Sequence, residues 1–211
     1  MENLNLILFL SIAAPLAMML AVCQKRSRSV LLFLLLGTCV CLFSSEFSGI
    51  LFSILPFSSQ YLTINITPLT EEVLKAIPLL IFVFMYEPED KYVYECSIAI
   101  GVGFAILENA FILSQNINAV SIPLALIRGF GAGMMHGLCT FTVGFGLSFI
   151  RKHRKLFVCG TAAIISLAVM FHALYNILVQ SSYQFIGYVM PMLIFVPLMI
   201  QLKVKKQILS D

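Results

Sequence analysis

Thr70-Glu71-Glu72-Val73-Leu74-Lys75 sets two carboxylates and an amine at the head of a segment that is otherwise apolar from Ala76 to Met85. An ionisable group at the centre of a membrane span costs about 2.5–3.5 kcal/mol on insertion scales, so such groups mark function by default. On a helix, Glu71 and Lys75 are spaced i, i+4 and Glu72 and Lys75 are spaced i, i+3, so both carboxylates reach one ammonium. That arrangement suits acid–base chemistry, in which one carboxylate takes a proton from water while the ammonium fixes its position.

Few other polar residues interrupt the apolar stretches: Glu108 and Asn109, Arg128 and His136, His172 and Asn176. Carboxylates, two imidazoles and a carboxamide are the ingredients of hydrolysis. Glu71 or Glu72 would serve as general base, with Glu72 favoured. His136 and His172 would polarise a carbonyl or hold the water, and Asn176 would donate to an oxyanion. The same groups suit a metal. Glu72, His136 and His172 form a hydrolytic Zn²⁺ set with one position open for water. There is no HExxH pair, so a metal site would be assembled from separate helices. Both mechanisms stay open at this level. Plainer roles exist for single residues: Glu71 as partner of a helix dipole, Glu108 as a structural partner of Lys75 or Arg128, Arg128 as an interface residue or salt-bridge partner.

Elements must bring these residues together. The chain has 211 residues, 60% of them hydrophobic and 11% charged, against roughly 45–50% and about 25% for soluble domains. Runs of about 20 apolar residues recur, each enough to cross a ~30 Å hydrocarbon core. The expected fold is an all-α, polytopic membrane helical bundle, one domain over residues 1–211 with a catalytic core at about 68–180. Seven spans can be drawn: Leu4–Val22, Val30–Leu51, Pro68–Tyr86, Tyr92–Gln115, Ile122–Ile150, Leu156–Val179 and Phe185–Leu202. The first lacks a basic start and an A-x-A-like cleavage site, so it reads as a span. The broken stretch from Glu46 to Thr67 is expected as an interfacial or re-entrant piece. The six cysteines form no CxxC pair and read as small buried hydrophobes.

Apart from Lys75 and Arg128, every basic residue follows the first, third, fifth or seventh span. The positive-inside rule then places the N-terminus outside and the C-terminus in the cytoplasm. The net charge of +3 resides in short loops and does not imply a nucleic-acid partner. Counting about 20 residues per crossing from these charges places Glu71, Glu72 and Lys75, Glu108, His136 and His172 in one layer. That layer lies about 5–10 Å below the outer surface at 1.5 Å per residue. Four helices therefore bring their polar groups to one depth. Gly129, Gly133 and Gly137 recur every four residues beside His136, and Gly101 and Ala105 do similarly on the preceding span, giving small-residue faces for close helix contact.

Glu71-Glu72-x-x-Lys75, Phe104-x-x-x-Glu108-Asn109, His136 in a glycine-rich span, and His172-x-x-x-Asn176 together resemble the motifs of the PrsW family. Those bacterial intramembrane proteases are related to the CAAX-processing and bacteriocin-immunity (Abi) proteases. The resemblance covers Thr70 to about Asn176. It implies peptide-bond hydrolysis in the bacterial cytoplasmic membrane, with Glu71, Glu72, Lys75, Glu108, His136, His172 and Asn176 as the functional set. It also implies a membrane-anchored substrate of the anti-sigma factor type, first cut outside its span in response to envelope stress. Relatives that process prenylated proteins carry Arg four residues after the second Glu and a histidine in FxxxH. Here Lys75 comes three after Glu72 and Glu108 fills an FxxxE, which favours the PrsW branch.

A transporter or ion-coupled carrier would use the same buried carboxylates, but no inverted repeat or matching pair of broken spans is visible. A relative that confers immunity or senses without cutting is the third class.

Overall fold

The computed structural model describes residues 25–116, 118 and 121–208. Among them the regular elements are all helical. Helix α1 spans Lys25–Ile54. A single turn at Ser59–Tyr61 runs through a π-turn at Leu62–Ile66 into α2, Thr67–Tyr86. Helices α3 (Asp90–Gln115), α4 (Ile122–Lys152), α5 (Phe157–Val179) and α6 (Gln184–Ile208) follow, with a 3₁₀ turn at Arg154–Leu156. The expected span Leu4–Val22 lies outside the described residues.

Among the described residues, four helices are long and apolar enough to cross a membrane: Arg26–Ile54, Asp90–Gln115, Ile122–Lys152 and Arg154–Val179. Gln184–Leu198 is a shorter apolar helix. The chain is a multi-pass membrane helical bundle. Helix α2 has 20 residues but carries the three ionisable groups, and its two faces explain how it tolerates them. Val73, Ile77, Ile81 and Met85, every fourth residue, are exposed, whereas Glu72, Lys75, Ala76, Leu79 and Val83 are buried. Its outer face is made for lipid; its inner face carries the charge.

The stretch expected as an interfacial or re-entrant piece is instead shared between two helices. Helix α1 continues through Glu46 to Ile54, the chain turns over Pro56, and Ser58 restarts a helix by accepting from the Tyr61 N–H at 3.2 Å. The restart joins α2 through the π-turn, whose register shift brings the Thr67 N–H to the Leu62 carbonyl. Pro68 has no N–H, so the Thr63 carbonyl is left without a donor in its own helix.

Helix α4 is the axis of the core. Ala132, Met135, Cys139, Val143, Leu147 and Ile150 pack from it against Ala76, Leu79 and Val83 of α2, Val93, Cys96 and Ile100 of α3, and Ala168 and Tyr175 of α5. Cys39, Cys41, Cys96, Cys139 and Cys159 are all free, and all but Cys159 are buried or half-buried. Of the glycines the periodicity picks out, Gly101 sets the α3–α4 spacing and the α4 glycines do not. A Cβ on Gly129 or Gly133 would meet nothing within 4 Å, and one on Gly137 would make ordinary contact. On Gly101 it would collide with the backbone carbonyl of His136. Helices α3 and α4 therefore touch backbone to backbone at the level of the imidazole. Spacing alone does not say which face of α4 meets a neighbour.

Charged residues gather at one end of the bundle. Arg26 pairs with Glu95, Arg151 and Lys152 with Asp90, and Arg154 with Glu87. Arg151 also donates to the Pro88 carbonyl at 2.6 Å. Glu87 closes α2 in the left-handed region, at φ 44°, a common helix-ending conformation, and Pro88 after it cannot continue the helix.

Candidate active site

Helix α2 delivers Glu71, Glu72 and Lys75, α3 delivers Phe104 and Glu108, α4 delivers His136, and α5 delivers His172. All but Glu108 are buried; Lys75 and His136 are 0% exposed. Lys75 Nζ donates to Glu72 Oε1 at 2.6 Å and to His136 Nδ1 at 2.9 Å, and sits 4.4 Å from the centre of the Phe104 ring. The ammonium thus has a carboxylate, an imidazole nitrogen and a π-face, a full set of partners for a charge taken out of water.

The tautomers follow from the donors. An ammonium has no lone pair, so His136 Nδ1 accepts, and Nε2–H donates to Glu108 Oε2 at 3.1 Å. His172 Nδ1 lies 2.8 Å from Glu72 Oε1, where an N–H is required. Its Nε2 lone pair is then free, 3.8 Å from Glu71 Oε2. The two imidazoles meet nearly edge to face, with centroids 5.0 Å apart. Glu71 Oε2 and Glu72 Oε2 are buried and accept no hydrogen bond.

The two carboxylates of the pair therefore differ. Glu72 is tied by Lys75 and His172. Glu71 lines a groove of about 340 Å³ between α1, α2 and α3, walled by Cys41, Ser45, Gly49, Phe104 and Phe111 and open to Glu108. The sequence favours Glu72 as base and metal ligand; the geometry puts Glu71, and not Glu72, on the groove. Identical residue types one position apart cannot be ranked from sequence, because that ranking depends on which one Lys75 captures.

A test of the donor set for a metal gives the same preference. One ligand atom each from Glu71, His136 and His172 lie within 4.8 Å of one another. Glu71 offers an unpartnered oxygen and His172 a free Nε2, whose other nitrogen donates to the Glu72 carboxylate, as metal-bound histidines do. His136 would release its Nε2 proton on binding, the proton loss that accompanies metal capture. The set fits a divalent cation, with Glu71 as the carboxylate in place of the expected Glu72.

Asn176 stands apart from this cluster. Its Nδ2 donates to the Thr63 carbonyl at 3.2 Å, the one orphaned by Pro68. Glu108 pairs with His136 and not with Lys75 or Arg128, and Arg128 makes no ion pair among the described residues. A second, more polar cavity of about 200 Å³ adjoins the site and includes Thr67, Glu108, Arg128, Tyr175 and Asn176. Tyr175 was not expected there; its place directly before Asn176 in an apolar helix was the available signal.

The family model described as PrsW family intramembrane metalloprotease matches residues 25–202 of the chain. No curated protein and no solved structure matches it.

Proposed function

The chain belongs to the PrsW family of intramembrane metalloproteases, and from that premise we propose how its residues cut a membrane-anchored protein. The observation that carries the reading is Glu71, which lines the groove and turns a buried, unpartnered Oε2 toward His172 Nε2 at 3.8 Å.

Apart from Glu71, Glu108 and the serine and threonine hydroxyls, the groove walls are apolar, which suits the end of a substrate span leaving lipid. Water is needed at Glu71, and the polar cavity beside Glu108 supplies a route that lipid does not fill. Glu71 Oε2 takes the proton of the attacking water and returns it to the leaving amine. His172 Nε2 steers that water. Glu72, held by Lys75, fixes the His172 ring and its tautomer. His136 Nε2–H, anchored on Glu108, is the nearest fixed dipole for charge developing on the carbonyl oxygen. These roles belong to the metal-free centre; a divalent cation, Zn²⁺ by donor type, held by Glu71, His136 and His172 would take those same atoms as ligands and would itself supply Lewis-acid activation of the water in their place.

Seven spans with the N-terminus outside would place this centre near the outer face of a bacterial cytoplasmic membrane, with the ion-paired end inside. A substrate cut there on the outer side of its span, of the anti-sigma factor type, would couple cleavage to envelope stress. The positive charge at the α4 end and the turn into α5 (Arg151, Lys152, Arg154 and Lys155) supports that orientation.

Membranes carrying a single-span reporter with a releasable outer domain test the reading. The wild type should release the domain, while Glu71→Gln and His172→Ala should not. Release by both variants at the wild-type rate ends the protease assignment for this centre.

A further inference from the structure

The polar cavity holds more hydrogen-bond donors than the protein satisfies. Tyr175 is 3% exposed, yet its hydroxyl bonds nothing, and Thr67 Oγ1 and Arg128 Nε are also buried without partners. All three residues line this one cavity of about 200 Å³, between the start of α2 and helices α3, α4 and α5. A buried hydroxyl without a partner forfeits about 1–3 kcal/mol of hydrogen bonding, so several in one place need an explanation.

Charge does not provide it. Glu108 lines the same cavity, so the guanidinium already faces a carboxylate across it. What is missing is neutral acceptors. A guanidinium only donates, a phenol donates well, and Asn176 Nδ2 adds a donor, one of its two hydrogens already being on Thr63. A stretch of peptide backbone offers carbonyl oxygens at regular intervals. The cavity and the groove share Thr63, Thr67, Glu108 and Ile112 as common walls, so a chain lying in the groove past Glu71 continues into the cavity.

We propose that Arg128 and Tyr175 form a backbone-binding subsite, donating to peptide carbonyls of the substrate on the polar side of the scissile bond. The proposal rests on the protease reading and deepens it: the groove takes the apolar end of the substrate span, and the cavity takes the polar strand next to it. Cleavage would then fall at the boundary between lipid-buried and water-exposed sequence, whatever the side chains there. Tyr175 and Arg128 hold the substrate and take no part in proton transfer.

The test uses the full chain in detergent micelles and, as probe, an acetylated and amidated peptide of leucines followed by six polar residues. Binding is measured on the Glu71→Gln protein, alone and combined with Tyr175→Phe or Arg128→Gln. Dissociation constants should rise about fivefold for Tyr175→Phe and about tenfold for Arg128→Gln, the range for one neutral and one charge-assisted hydrogen bond. The melting temperature of Tyr175→Phe should not fall, because its hydroxyl bonds nothing in the free protein. Equal binding by all three proteins, no binding by any, or a Tyr175→Phe protein that melts lower overturns the subsite. So does stabilisation by phosphatidylglycerol alone that depends on Arg128, which would assign the cavity to lipid. Cleavage of the peptide by wild type is scored separately. Binding that depends on Tyr175 without cleavage defeats the protease reading and leaves the subsite; cleavage with unchanged binding does the reverse.

Discussion

His172 Nδ1 and Glu72 Oε1 lie 2.8 Å apart, although 100 residues separate them in the chain. The same oxygen receives Lys75 Nζ at 2.6 Å. One carboxylate oxygen therefore fixes an ammonium on its own helix and an imidazole on α5. That leaves its neighbour Glu71 as the carboxylate that faces the groove.

The two glutamates should separate in mutants. Glu71→Gln removes the proton acceptor and should lower cleavage about 10²–10⁴-fold. Its melting temperature should hold or rise, because Glu71 Oε2 is buried without a hydrogen bond. Glu72→Gln strips the buried ammonium of its counter-charge and should cost about 3–5 kcal/mol of stability. Reporter release measured beside thermal unfolding decides this. A Glu71→Gln protein that cuts normally would return the base role to Glu72.

The Lys75–Glu72 pair, 0% exposed at both side chains, is expected to position the site more than it stabilises the fold. Lys75→Met alone should destabilise by about 3–5 kcal/mol, since it strands a carboxylate. Lys75→Met with Glu72→Leu should recover most of that loss without recovering activity. A double variant as unstable as the single one would mean that the pair itself holds α2 in place.

Gly101 faces the carbonyl of His136 across the α3–α4 contact. Gly101→Ala must push the helices apart and should cost about 1–3 kcal/mol, moving His136 away from Glu108 and His172. Gly133→Ala, with open space around the added carbon, should change neither melting temperature nor cleavage. Equal effects of the two would dismiss the close contact as the reason for the glycine.

How much of this could be read beforehand differs between residues. The layer of Glu71, Glu72, Lys75, Glu108, His136 and His172 follows from counting turns, because a bilayer fixes depth and the loop charges fix the ends. Helix boundaries from Thr67 to Val179 follow for the same reason: the apolar runs are long and the breaks are short. Which glutamate faces the groove does not follow, since it turns on rotamers around one ammonium. That Gly101 makes the close contact while Gly133, equally marked by spacing, does not depends on helix rotation, which hydrophobicity hardly constrains when every face is apolar. The partner of Asn176 depends on the π-turn, which no periodicity announces.

Metal binding should follow the geometry. The purified wild type should hold one divalent cation, measured by elemental analysis, and lose it in His172→Ala and Glu71→Gln. Glu72→Gln, which removes the carboxylate charge behind His172 but no ligand of the proposed set, should weaken affinity about 10–100-fold in the protein that remains folded. Cation content that follows Glu72 as strictly as His172 would restore the ligand set expected from sequence. Full activity in metal-free protein would remove the cation from the reaction.

Asn176 yields the most specific prediction, because its partner exists only through Pro68. The π-turn sends the Thr67 N–H to Leu62, and the next residue has no N–H to offer, so the Thr63 carbonyl takes its hydrogen bond from Asn176 at 3.2 Å. Asn176→Ala should therefore cost about 1 kcal/mol, toward the low end of the penalty for stranding a carbonyl because Thr63 is half-buried. Pro68→Ala restores a backbone donor within the helix, so Asn176→Ala in that background should cost much less. The double-mutant cycle on thermal unfolding would show a coupling of up to about 1 kcal/mol between residues that do not touch. If Asn176 served chiefly as an oxyanion donor, the two mutations would add in stability and Asn176→Ala would lower kcat alone. Coupling in stability, with the start of α2 and hence Glu71 displaced, would make Asn176 the residue that holds the first carboxylate at its groove.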